Sequence, residues 1–120
     1  MPLKMTMQPQ EWLMIGDTRV VNIHPLQAKF SIDGAAPILR QAHTIAESDA
    51  DTPAKRVYLS VQSLYLGITE DPKPYFAAVE ALLKTDPSAN DVVHKANSKI
   101  ASGSFYGALR EYRKLVDLSA

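Results

Sequence analysis

Asp49-Ala-Asp-Thr-Pro-Ala-Lys-Arg-Val-Tyr-Leu-Ser-Val-Gln-Ser-Leu-Tyr-Leu66 reads as a capped helix that is apolar on more than one side. Thr52 or Asp51 can accept a backbone N–H as N-cap, and Pro53 falls at the first helical position, where its missing donor costs nothing. Val57, Val61, Leu64 and Ile68 share one stripe, with Tyr58 and Tyr65 beside it and Leu59 and Leu66 projecting elsewhere. A helix of this kind belongs at the centre of a fold. The spacing on its N-terminal side is that of short strands and on its C-terminal side that of amphipathic helices, so it forms the seam of the chain. Lys55 and Arg56 lie in its first turn, where the helix dipole disfavours cations, and an anion is expected close by. The carboxylates of Asp49 and Asp51 supply one by ordinary capping chemistry, and a nucleic-acid phosphate on the free N–H groups is the other candidate.

From Leu3 to Leu39 the apolar period is near two, which predicts strands at about 2–8, 10–15, 18–24, 28–33 and 36–40. Ile15-Gly16-Asp17-Thr18 marks a tight hairpin, because glycine tolerates the positive φ that such a loop requires. Pro25 and Asp33-Gly34 supply the next turns. So small a sheet buries little surface unaided and needs a cover, from the central helix or a second subunit. Trp12 and Phe30 are expected in its core, and the first strand, with a proline near either end, is expected at an edge that offers backbone groups to a partner.

After Gly67, Asp71-Pro72 opens a second helix with Tyr75-Phe76, Val79 and Leu82-Leu83 on one face. Ser88 is the expected cap of a third, with Val92-Val93, Ala96 and Ile100 inward and Gly103 as its left-handed stop. The fourth, from about Ser104, sets Phe105, Leu109, Tyr112 and Val116 against a basic stripe of Arg110, Arg113 and Lys114. The expected fold is α+β: a small antiparallel sheet over residues 1–48, dimerising or covered by a partner, then a bundle of about four helices over 49–120. Leu59 and Leu66 are expected to carry the helices onto Trp12 and Phe30.

The chain has 120 residues, 13 basic and 13 acidic side chains, and no cysteine. Each half is electrically balanced, which argues against binding driven mainly by phosphate neutralisation but permits recognition through base edges and stacking. The absence of cysteine excludes disulfides, thiol catalysis and thiolate metal sites, and suits a reducing cytoplasm. The longest run without a charge is the 13 residues Val57–Thr69, shorter than the ~20 that cross a bilayer. His24, His43 and His94 have no metal-ligand spacing, and no phosphate-loop, dinucleotide or nucleophile-elbow motif occurs. The chain therefore reads as a cytoplasmic binding protein without metal or cofactor, and not as an enzyme.

Thr6, Glu11, Leu13-Met14-Ile15-Gly16-Asp17, Phe30-Ser-Ile32 and Ala36-Pro37 run in the order of, and at spacings similar to, the carbon storage regulator (CsrA) family. Those are strand-swapped β dimers that bind GGA-containing loops of messenger RNA leaders. The chain departs from them at Met7 and Gln8, where that family has basic residues, and its shorter last strand prevents equating Arg40 with that family's arginine. Over nearly the whole length, Gly34-Ala-Ala-Pro-Ile-Leu-Arg40, Asp51-Thr-Pro-Ala-Lys-Arg-Val-Tyr-Leu59 and Gly103-Ser-Phe-Tyr-Gly-Ala-Leu-Arg-Glu-Tyr-Arg-Lys-Leu115 resemble the flagellum biosynthesis repressor family (FlbT). That resemblance implies a post-transcriptional regulator that engages the 5′ untranslated leader of flagellin messenger RNA and promotes its decay together with FlaF. An adaptor gripping FlaF or flagellin through the helical half is the other reading. The residues expected on RNA are Lys4, Thr6, Arg19, Lys29 and Arg40 around the sheet, with Lys55 and Arg56 at the helix start. Arg110, Arg113 and Lys114 are expected on a protein partner.

Overall fold

The computed structural model describes residues 2–117. Among them five strands, β1 (Leu3–Met7), β2 (Trp12–Ile15), β3 (Thr18–Val21), β4 (Ala28–Ile32) and β5 (Ile38–Arg40), precede four helices. The helices are α1 (Pro53–Tyr65), α2 (Lys73–Thr85), α3 (Asn90–Ala101) and α4 (Phe105–Tyr112). The fold is α+β, as expected, with one difference in the sheet. The strands form two small antiparallel sheets, a β1–β4 ribbon and a β3–β2–β5 sheet. The division arises at residues 8–11, where Gln10 takes φ 66 and Gln8 accepts from Glu11 N, so the chain reverses instead of running from β1 into a neighbouring strand.

Period-two alternation then turns one face of each sheet toward the other. Met5 and Met7 of β1 and Leu13 of β2 are buried together, with Ile15, Phe30, Ile32 and Ile38 packed against them. Gly16 takes φ 58 at the β2–β3 turn, and its N–H reaches Pro37 O at 2.8 Å, which ties the hairpin to the start of β5. Buried Asn22 locks the two sheets together. Its Nδ2 faces Met7 O, Gln8 O and Leu26 O at 3.0 to 3.1 Å, while its Oδ1 accepts from His24 N. Trp12 is only half-buried, under Arg19, and Phe30 sits in the small cluster.

The larger core is built on α1. Thr52 caps it, accepting from Lys55 N at 3.1 Å, with Pro53 following as expected. Val57, Tyr58 and Val61 are fully buried against Tyr75 and Leu82 of α2, Val93 and Ala96 of α3, and Ala108, Leu109 and Tyr112 of α4. Leu39 and Ile45 from the strand half belong to the same core. The halves thus meet through these two residues and half-buried Met14, and not through Phe30. Leu66 is buried and borders a hollow with Trp12, whereas half-buried Leu59 faces a groove against α2. The stripe also stops earlier than its period suggests: α1 ends at Tyr65, Gly67 takes φ 74, and Ile68 is left 55% exposed.

In α2, Tyr75 turns inward, donating to Asn97 Oδ1 and lying 2.7 Å from the Tyr112 hydroxyl, while Phe76 faces out at 61% exposure. Ser88 does not cap α3, because a 3-10 turn over Pro87–Ala89 feeds the helix and the Ser88 hydroxyl bonds the Asp86 carboxylate. Gly103 at φ 88 and Ser104, accepting from Gly107 N at 2.9 Å, then turn the chain into α4.

Polar links hold α1 to the strand half. Gln62, 5% exposed, accepts from Ile45 N at 2.8 Å and donates to Ile45 O at 2.9 Å. The Tyr65 hydroxyl accepts from Ile38 N at 3.1 Å and donates to Ile38 O at 2.9 Å. Tyr58 donates to His43 O. Replacing Gln62 by leucine keeps most of the volume but orphans two buried backbone groups, so Gln62→Leu is expected to cost about 2–4 kcal/mol in urea unfolding. Leu66→Ala should cost ~2–5 kcal/mol as a core cavity and Leu59→Ala less. Because the core draws on both halves, each loss should appear in one shared transition; a helical transition that moves alone would refute the shared core.

Candidate nucleic-acid interface

The ribbon's outward face collects three of the expected residues. In β1, Lys4 and Thr6 alternate with buried Met5 and Met7, and in β4 Lys29 and Ser31 alternate with inward Phe30. The antiparallel register sets Lys4 opposite Ser31 and Thr6 opposite Lys29, so the two ammonium groups are diagonal neighbours with a hydroxyl beside each. These four side chains border a shallow hollow of about 330 Å³. Two like charges on adjacent strands repel in isolation, and an anion between them removes the repulsion. Paired cations and hydroxyls suit a phosphate or a ribose.

The other expected residues lie apart from this face. Arg19 of β3 stacks its guanidinium 4.2 Å from the centre of the Trp12 ring. Arg40 ends β5 and is exposed at the rim of a cavity of about 470 Å³ between the strand half and the helices. Lys55 pairs with Asp51 at 3.3 Å, which supplies the anion that its place in the first turn demands. Arg56 borders the groove between α1 and α2.

The basic stripe of the last helix is not one face. α4 ends at Tyr112 and Arg113–Leu115 form a 3-10 turn, so the helical period that would align the cations is lost. Arg110 is exposed, and Lys114 is held by Glu111 at 2.8 Å, which keeps the Glu111 carboxyl below its ordinary range. Arg113 turns inward. Its Nη2 lies 3.5 Å from the Tyr58 hydroxyl and its guanidinium 6.0 Å from the Tyr106 ring centre.

Sequence reasoning passed over His43, Tyr65 and Tyr106, which surround the cavity at the junction. Burial, followed by the nearby charges of Arg113 and Arg40, pushes the His43 imidazole below its usual range and keeps it neutral at pH 7. Burial also raises the Tyr58 and Tyr65 hydroxyls, so they act as neutral donors. Tyr58 and Tyr65 recur seven residues apart on α1, and that spacing is the one signal that marks them as neighbours on a face. Among the described residues, no three His, Cys, Asp or Glu side chains gather where they could hold a metal ion. No helix among them is long and apolar enough to cross a membrane.

No solved structure gives a significant match to the chain. A probable flagellum biosynthesis repressor protein FlbT, found in two strains of Rhodopseudomonas palustris, is 36% identical over 118 residues, 97% of this chain and 93% of its own length. The probable flagellum biosynthesis repressor protein FlbT 1 of Bradyrhizobium diazoefficiens is 36% identical over 121 residues, 97% of this chain and 81% of its own. The family model described as flagellar protein FlbT matches residues 3–120, and with relatives this similar along nearly the full length, the chain belongs to the FlbT family.

Proposed function

We propose that this protein is a non-enzymatic, post-transcriptional repressor of flagellin synthesis. It binds the 5′ untranslated leader of flagellin messenger RNA on the outer face of the β1–β4 ribbon, and represses translation or promotes decay of the message. The observation that carries this reading is the convergence of Lys4, Thr6, Lys29 and Ser31 on one sheet face. The names of the relatives, flagellum biosynthesis repressors, support the direction of control. The small strand cluster supports a homodimer, since among the described residues β1 pairs with β4 alone and β3 with β2 alone, and each keeps an edge for a second copy.

An adaptor role for the helical half has an observation of its own. A groove of about 620 Å³ between α1 and α2 is lined by Leu59, Pro74, Ala77, Ala78 and Ala81, a surface that suits an apolar segment of FlaF or flagellin. The two readings separate by experiment. Lys4→Ala with Lys29→Ala is expected to weaken leader RNA binding without moving the melting temperature, because both side chains are exposed. With about three phosphate contacts, the slope of log affinity against log salt should be near −2 on a single strand. If that double variant binds RNA as the parent does while Ala78→Arg in the groove abolishes co-purification with FlaF, the adaptor reading replaces this one. Light scattering at micromolar concentration checks the dimer, and a monomer would remove it.

A further inference from the structure

The cavity at the junction is chemically unlike the ribbon face. Its floor is aliphatic, from Leu3, Met5 and Ile38; one wall is aromatic, from Tyr65 and Tyr106; and its rim carries Arg40 and His43. Tyr65 is fixed before any ligand arrives, because its hydroxyl is bonded to both backbone groups of Ile38. Tyr106 tilts against it, ring centres 5.7 Å apart, and remains 39% exposed. Behind Tyr106 lies Arg113, whose Nε is buried with no hydrogen-bond partner among the described residues. None of the described residues lining the cavity is acidic.

These features select a ligand class. A cation finds no counter-charge here, and a hydrated phosphate alone gains nothing from an aliphatic floor and an aromatic wall. A flat π-system carrying an anion uses every surface, the ring on the tyrosine wall and the anion on the arginine rim. Neutral His43 adds an imidazole that both donates and accepts, as a base edge does. The volume lies within the ~300–1,000 Å³ of ordinary small-ligand sites.

We propose that this junction cavity holds one unstacked nucleotide of the bound RNA, its base against Tyr65 and Tyr106 and its phosphate on Arg40, an assignment that rests on the RNA-binding reading above. Met5 borders both this cavity and the ribbon hollow, so an RNA strand passes from one to the other by crossing the edge of β1. The ribbon tracks the backbone and the cavity takes the base.

The test titrates the isotope-labelled protein with each of the four nucleoside 5′-monophosphates, and with inorganic phosphate as control, while following backbone amide resonances. At least one nucleotide should shift Ile38, His43 and Tyr106 saturably, and phosphate should not. In parallel, Tyr106→Leu should lower leader RNA affinity by about tenfold, inside the range of one lost base–aromatic stack, with Tyr106→Phe close to the parent. If Tyr106→Leu lowers the melting temperature, Arg40→Gln at an exposed site replaces it, with the same loss expected. Nucleotide shifts confined to the ribbon, shifts reproduced by phosphate, or no shifts overturn the assignment. So does a parent-like RNA affinity of the Tyr106 and Arg40 variants. Saturation of the cavity by mononucleotides in a protein that ignores leader RNA sinks the RNA reading and leaves the cavity standing. RNA binding lost with Lys4 and Lys29 yet indifferent to Tyr106 and Arg40 does the reverse.

Discussion

The structure depends on α1 serving as a hydrogen-bond partner for backbone that is not its own. β5 is three residues long, pairs with β2 on one side, and continues into a 3-10 turn at Gln41–His43 and a short extended stretch. Tyr58, Gln62 and Tyr65, on one face of α1, meet backbone groups of this segment at His43, Ile45 and Ile38. A buried backbone group left unpaired costs about 1–3 kcal/mol, so these contacts decide whether the two halves can pack at all. Val57 and Val61 bury the adjoining side of the same helix in the bundle. One helix thus closes two interfaces, the bundle by apolar packing and the strand half by side-chain to backbone bonds added to the packing of Leu39 and Ile45.

That division explains what could be read from the chain and what could not. The five strands, the Gly16 turn, the Thr52-Pro53 helix start and the Gly103 stop are local, and each lies where period or turn chemistry placed it. The separation into two sheets depends on the reversal at Gln10, a residue type that gives no notice of positive φ. Ile68 is apolar and correctly spaced yet exposed because α1 stops before it, and Phe76 faces out where its neighbour Tyr75 turns in. Among the candidate site residues, the outward placement of Lys4, Thr6 and Lys29 was legible because strand alternation alone sets it. The junction cavity was not, because residues 36–43 supply only part of its lining and the aromatic wall that closes it comes from Tyr65 and Tyr106, far along the chain.

The balanced net charge conceals an uneven surface. In the helical half, Lys55 is engaged by Asp51, Lys84 by Glu80 and Lys114 by Glu111, all within one helical turn. Such pairs add little stability, but they cancel field at short range. Around the strand half, Lys4 and Lys29 stand without an ion pair among the described residues, and Arg19 spends its guanidinium on Trp12. Residues 1–48 still hold four acidic side chains against four basic ones, so the unevenness is local: the outer face of the ribbon carries Lys4 and Lys29 and no carboxylate.

The Tyr65 clamp on Ile38 has a consequence for the order in which the chain acquires its shape. During synthesis residues 1–48 leave the ribosome first, and they carry both sheets but not the group that satisfies the outer edge of β5. Until position 65 has cleared the exit tunnel, that edge is bonded only to water and the strands lack their cover. A chain that stops short of residue 65 can therefore form the ribbon and the Met5, Met7 and Leu13 cluster from its own residues, but leaves the outer edge of β5 without its protein partner.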